Sequence, residues 1–200
     1  MIGLTGAHRT GKTTLAKAWA KENDAEYVAL PKVIEAMGLE PKDINTLDVR
    51  LKVQRKLVEA CHDTFSNKRA MFISDRTPLD VAAYTLADGS MDMTLSQQQE
   101  MVSIVEDCID ITNSCFKMLA LLQPGIPYVS EPGKPLFNVA YQEHIHSLIV
   151  GFLSDPRVEI SWWHFPRIQL DHDERMDGLD FVYHDVSRMA VEGFSEISIH

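Results

Sequence analysis

Eight residues near the start of the chain, GAHRTGKT at positions 6–13, leave few folds open. Apolar Met1-Ile2-Gly3-Leu4 precedes them as a short buried strand. Lys12 to about Glu22 follows as a helix, with Leu15, Ala16, Ala18, Trp19 and Ala20 at its apolar positions. A strand and a helix joined by glycines at this spacing let successive backbone N–H groups turn inward. The helix start adds unpaired amides and the positive end of its dipole. Gly6, Ala7, His8, Thr10, Gly11, Lys12, Thr13 and Thr14 then form a nest for a polyphosphate. Lys12 would reach its outer phosphates, and the Thr13 hydroxyl would hold Mg²⁺ bridging them. The nest implies a nucleoside triphosphate, ATP in the first place, with Mg²⁺. It leaves the reaction open, because motors, switches and kinases all use such a loop.

The rest of the chain repeats the strand–helix alternation. Ala25–Leu30, Met71–Ser74, Phe116–Leu122 and Val158–Trp163 read as strands. Thr46–Asn67, Pro78–Leu86, Thr94 to about Asn113, 138–153 and Asp177–Met189 read as helices, with a weak one ending near Gly38. Thr94 and Gln97 predict a capping box. Short continuous apolar strands separated by helices describe an α/β fold, a parallel sheet covered on both faces. The 200 residues carry no repeat or linker, so one domain spanning 1–200 is expected. The proline-rich loop around 128–140 is the expected lid.

Charge narrows the ligand. A net charge of −10 argues against a nucleic-acid partner, and no apolar run approaches a membrane span. The N-terminus lacks a signal-peptide pattern, and Cys61, Cys108 and Cys115 read as reduced core thiols; both point to the cytoplasm. From Thr77 to Pro156 the only cations are Lys117 and Lys134. An anionic substrate must then rely mainly on the first third, where Arg9, Lys12, Arg50, Lys52, Arg55, Lys56, Arg69 and Arg76 lie.

A second motif, MFISDRTPLDVAAY at 71–84, puts Asp75 and Arg76 at the C-terminal end of the third strand, the edge where parallel sheets bind ligands. Asp75 there can hold Mg²⁺ through its water shell, and Arg76 can clamp a second anion. With the phosphate loop, the pattern Asp75, Arg76, Asp80, Ala83 and Tyr84 resembles thymidylate kinases and related deoxynucleoside monophosphate kinases. The resemblance covers mainly residues 1–20 and 70–87. It implies a three-layer P-loop NTPase fold around a five-stranded parallel sheet, and transfer of the ATP γ-phosphoryl group to a nucleoside 5′-monophosphate. Arg9, Lys12, Asp75 and Arg76 would be catalytic. His8, Arg50, Arg76, Asp80 and Tyr84 would meet the acceptor, and Thr13 and Asp75 the metal.

One group of these kinases carries an arginine within the phosphate loop, matching Arg9, and lacks one in the lid. This chain has Lys134 and no arginine across 128–140. Charge spreading over the transferring oxygens needs a cation, from the loop beneath or the lid above. The chain departs from the pattern at His8, where that group has an acid, at Thr77 and at Asp80. After the second strand it has ALPKVIEA in place of an arginine-bearing base-recognition segment, so the base stays open. The resemblance also allows a homodimer through the Thr94–Thr112 helix.

Deoxynucleoside kinases and ribosylnicotinamide-type kinases share a loosely similar Asp-Arg motif. They would need a carboxylate base, for which Asp75 is a candidate, where a phosphate acceptor needs cations. A regulatory NTPase without a small-molecule acceptor is a third reading. On the second long helix, Arg50 and Arg55 point about 140° apart and cannot both face one site; Arg50 is preferred. Asp171–Glu174 reads as a solvated acidic loop, and His144 and His146 face different ways. Trp162-Trp163 reads as strand core with one part-exposed ring. Glu131 and Lys134 are lid residues, and the residues after 166 have no role beyond packing.

Overall fold

The apolar runs become five strands, β1 Ile2–Thr5, β2 Glu26–Val28, β3 Phe72–Ser74, β4 Met118–Leu122 and β5 Ser161–Phe165. The computed structural model describes residues 1–68, 70–126, 138–168 and 170–192, without the side chains of residues 41 and 185–192. All strands pair in parallel in the order β2-β3-β1-β4-β5, which puts the first strand at the centre. The helices are α1 Lys12–Glu22, α2 Val33–Ala36, α3 Leu47–Phe65, α4 Pro78–Ala87, α5 Leu95–Cys115, α6 Val139–Leu153 and α7 His172–Glu192, with a 3₁₀ turn at Pro41–Asp43.

Period-two alternation on the strands builds the layers. On β4, Leu119 and Leu121 face one core with Phe65, Phe72 and Phe116, under α3, α4, α5 and α6. Met118, Ala120 and Leu122 face the other, with Trp19, Phe165 and Leu179, under α1 and α7. The expected three-layer α/β fold with a five-stranded parallel sheet is what the chain adopts. After β3 the chain crosses β1 to lay down β4 and β5 on the other side. The C-terminal ends of β1, β3 and β4 therefore flank the crevice where the winding reverses.

Capping chemistry sets several helix starts. Thr94 and Gln97 form the expected capping box at α5, and Thr46 caps α3. Pro78 opens α4 behind a second box made by Thr77 and Asp80. Two boundaries differ from expectation. β5 starts at Ser161, level with Met118 of β4; Val158 and Ile160 precede it in a loop, packed against the α3–α6 core. α7 starts at His172, because the Asp171 and Glu174 carboxylates each accept from the other's backbone N–H, at 2.9 and 2.8 Å. The acidic run is a helix start, where negative charge meets the positive end of the dipole. Cys61, Cys108 and Cys115 are free and buried. Among the described residues no helix is long and apolar enough to cross a membrane.

Candidate functional site

The turn between β1 and α1 has the backbone its glycines predict. Gly6 has φ +146°, Gly11 +84°, and between them Arg9 takes +63°. A Cβ at Gly6 would lie 2.5 Å from the Leu122 carbonyl oxygen, so the loop passes β4 only with hydrogen there. The carbonyls of Gly6, Ala7, His8 and Thr10 are engaged. Lys12 Nζ donates to Gly6 O at 2.6 Å and Ala7 O at 2.7 Å. Gln142 Nε2, from α6, donates to His8 O at 2.8 Å, and Arg175 Nη1, from α7, to Thr10 O at 3.0 Å. The start of α1 has no side-chain cap and no acid in its first turn, and Thr13 and Thr14 are exposed there. Its amides are left for an anion.

Burial lowers the Lys12 ammonium to about 8, with Arg76 adding to the fall and Asp80 and Asp75 opposing it. Thr13 Oγ1 donates to Asp75 Oδ2 at the end of β3. Burial, then the Asp75 charge, pushes the Tyr27 phenol up to about 12, so Tyr27 stays protonated beside that carboxylate. A hydroxyl and a carboxylate converging at the helix start suit Mg²⁺, a hard cation that takes few protein oxygens and fills its sphere with water and phosphate.

From the loop, a cleft of about 1380 Å³ runs across the sheet edge to α3. His8, Arg9, Arg76, Tyr84 and Arg50 line it, with Gln54 on the same wall. The Arg76 guanidinium lies 5.8 Å from the Tyr84 ring centroid. Burial works against its charge, but Asp80, Tyr84 and Asp75 outweigh that and raise its pKa. Burial lowers the His8 pKa, and Lys12, Arg76 and Arg9 lower it further, so the imidazole is neutral at pH 7. Its Nδ1 is 3.4 Å from the Tyr84 hydroxyl, and its ring 6.0 Å from that of Tyr141. Gln54 Oε1 is buried without a hydrogen-bond partner among the described residues.

The structure thus brings Arg9, Lys12, Asp75, Arg76, His8 and Tyr84 to one cleft. Arg50 reaches its rim and pairs with Asp88 at 2.5 Å. Arg55 points away, to Glu100 and Asp107, as helix geometry predicts. Asp80 lines the same cleft. It is 1% exposed and both its oxygens are occupied: Oδ1 accepts from Thr5 Oγ1 and Gly6 N, each at 3.0 Å, and Oδ2 from Thr77 N at 2.8 Å. It ties the phosphate loop to α4, a role the sequence reading did not give it. Glu131, Lys134 and residues 128–137 of the expected lid lie outside the described residues; Asn138 caps α6.

Gln54 lines the cleft and Gln142 and Arg175 hold carbonyls of the loop, and motif reading misses all three. Gln142 with Ile145, and Arg175 with Met176 and Leu179, are polar side chains on otherwise buried apolar stripes. That mismatch was their one sequence signal.

Fold and loop together define an α/β protein whose glycine-rich phosphate-loop turn opens onto one long cleft. No family model and no curated protein matches the chain. Among solved structures it is similar to deoxyadenosine kinase from M. mycoides, at TM-score 0.67 and 16% identity over 92% of this chain and 98% of that one. Thymidylate kinase from Candida albicans follows at TM-score 0.66 and 12% identity over 93% and 91%. The NadR protein gives 0.64 and 13%, over 99% of this chain and 51% of that one. The chain has the fold of these P-loop kinases.

Proposed function

We propose that the chain is an ATP- and Mg²⁺-dependent kinase acting on a nucleoside 5′-monophosphate. The observation that carries this is the state of the carboxylates on the described cleft wall. Asp80 has both oxygens occupied, Asp75 is bonded to Thr13, and Asp88 is paired with Arg50. The segment after β2, Ala29-Leu30-Pro31, is carboxylate-free and lines the cleft. A sugar hydroxyl needs a base to take its proton; a phosphate acceptor arrives ionised and needs cations. Arg76, fixed over Tyr84 between loop and cleft, is such a cation.

In this reading the loop and α1 amides grip the donor polyphosphate, and Thr13 and Asp75 hold Mg²⁺. The metal, when bound, neutralises charge on the bridging phosphate oxygens. Lys12 leaves the loop carbonyls for the outer phosphates. Arg9, at the rim between donor and acceptor, faces the charge that develops on the transferring oxygens. Tyr84 and neutral His8 sit where the acceptor sugar would lie, and the Gln54 amide offers a donor and an acceptor to a base edge. The folds of the deoxyadenosine and thymidylate kinases support phosphoryl transfer in this cleft without choosing between their acceptors.

The test is ADP release with ATP, Mg²⁺ and a panel of nucleosides and nucleoside monophosphates. One monophosphate is expected to accelerate it strongly. Acceleration by a nucleoside alone would replace this reading with a sugar-hydroxyl kinase. Slow turnover unmoved by either would leave a regulatory NTPase. With the right acceptor, Arg9→Ala is expected to lower kcat by at least about a hundredfold, the order of losing one transition-state charge contact, with ATP affinity nearly unchanged.

A further inference from the structure

Arg175 stands apart from the other cations of the molecule. It is carried by α7, far in sequence from both motifs, yet the residue is 8% exposed and its guanidinium lies against the phosphate loop. Nη1 donates to Thr10 O at 3.0 Å, and a Cβ built on Gly11 would come 3.1 Å from that nitrogen. Its Nε is buried without a hydrogen-bond partner among the described residues. Among the described residues no carboxylate pairs with it, whereas Arg50, Arg55, Arg157 and Arg167 all form ion pairs.

A buried cation without a counter-charge is costly, and proteins seldom keep one without use. Holding a carbonyl outward does not require charge; a neutral amide does so at His8, where Gln142 donates. What distinguishes the Thr10 position is its neighbour, Gly11, whose residue opens α1 and whose surroundings form the donor nest. We propose that Arg175 supplies a fixed, water-shielded positive charge behind the phosphate loop, and that the nucleotide polyphosphate is its counter-ion. It is a positioning residue, acting on the anion through the loop and not by contact. The inference rests on the reading of residues 6–14 as a polyphosphate site, and it gives the C-terminal helix a part in donor binding.

Two substitutions separate charge from hydrogen bonding. Arg175→Gln keeps an amide donor for Thr10 O and removes the charge; Arg175→Lys keeps the charge. Binding of inorganic tripolyphosphate with Mg²⁺ to the full chain, read by calorimetry, is expected to weaken about tenfold or more in Arg175→Gln and to stay within about threefold of the parent in Arg175→Lys. Melting without ligand should not be lower for Arg175→Gln than for Arg175→Lys, since the charge is uncompensated until an anion arrives. Because burial shields the charge, the tenfold gap should persist as salt is raised, unlike that of a surface lysine. Parent-like binding by Arg175→Gln, or equal loss in both variants, would make Arg175 a structural brace and overturn the proposal while the polyphosphate site stands. A parent protein that binds neither tripolyphosphate nor ATP would remove the site and this inference together.

Discussion

At the residue scale, the cost of the site is concentrated on Lys12. Its free ammonium is lowered to about 8 chiefly by burial. A polyphosphate favours the protonated form, so binding above that value must draw a proton from water. ATP affinity is expected to be flat from pH 6.5 to 7.5 and to fall as pH rises past 8, by up to about tenfold per unit. Ligand-free stability has the opposite sign. Between the folded value near 8 and the ordinary 10.5, the unfolded chain holds a proton that the native state has released, so the Lys12 contribution rises with pH. Calorimetry and thermal melts across pH 7–10 check the pair. Asp80 links to this, because its charge holds the Lys12 value up. Asp80→Asn is expected to cost about 1–3 kcal/mol, since one side of the residue turns from acceptor to donor against buried partners. It should also move the affinity limb to lower pH. The Asp80 role was legible in part: Thr77-x-x-Asp80 before a proline is a capping box in sequence. The Thr5 and Gly6 bonds to its other oxygen were not, because they depend on where β1 ends relative to α4.

At the element scale, four strands fall on the segments expected for them, and only the start of the edge strand β5 does not. β3 and β4 fall within their apolar runs and β1 extends one residue past its own, to Thr5; all three are buried throughout. β5 is an edge strand with Trp162 and His164 exposed, so its apolar content did not mark its start; Val158 and Ile160 are apolar for another reason, packing from the loop. α7 was misplaced because charge was read as solvation, when an acid at a helix start is stabilising. This helix is bolted to α1. Asp180 accepts from Trp19 Nε1 at 2.6 Å and from Asn23 Nδ2 at 3.2 Å, and Trp19 is fully buried. Asp180→Ala leaves a buried indole N–H without a partner. It is expected to cost about 1–3 kcal/mol, read as a lowered melting midpoint with altered Trp fluorescence. No motif announces this pair; it exists only once α1 and α7 share a sheet face.

At the scale of the whole molecule, the site is assembled from both faces and both halves of the sheet. The phosphate-loop turn comes from β1 and α1, the Asp75 carboxylate from the end of β3, and the outward grip on the loop from α6 on one face and α7 on the other. The motifs disclosed the nest and the Asp-Arg edge, since both are local. They were silent on Gln54, Gln142 and Arg175, whose parts depend on contacts between distant segments. The expectation that an anion relies on the first third of the chain therefore needs one addition, the cation delivered at Arg175.

The first strand lies between β3 and β4, with Ile2 paired to Ile73 on one side and to Met118 on the other. Both partners lie far along the chain from it, so one edge waits for β3 and the other for β4 before it is satisfied. Loop-closure entropy is met before those pairings reward it, so refolding should be slow for this size, in the range of milliseconds to seconds. Until β4 joins, the second edge of β1 is unpaired and the glycine turn lacks the Leu122 carbonyl that it passes. A nascent chain stopped at residue 115 is expected to capture no tripolyphosphate, and one extended through α7 to capture it fully, as pull-down of stalled ribosomal complexes on an immobilised polyphosphate would show.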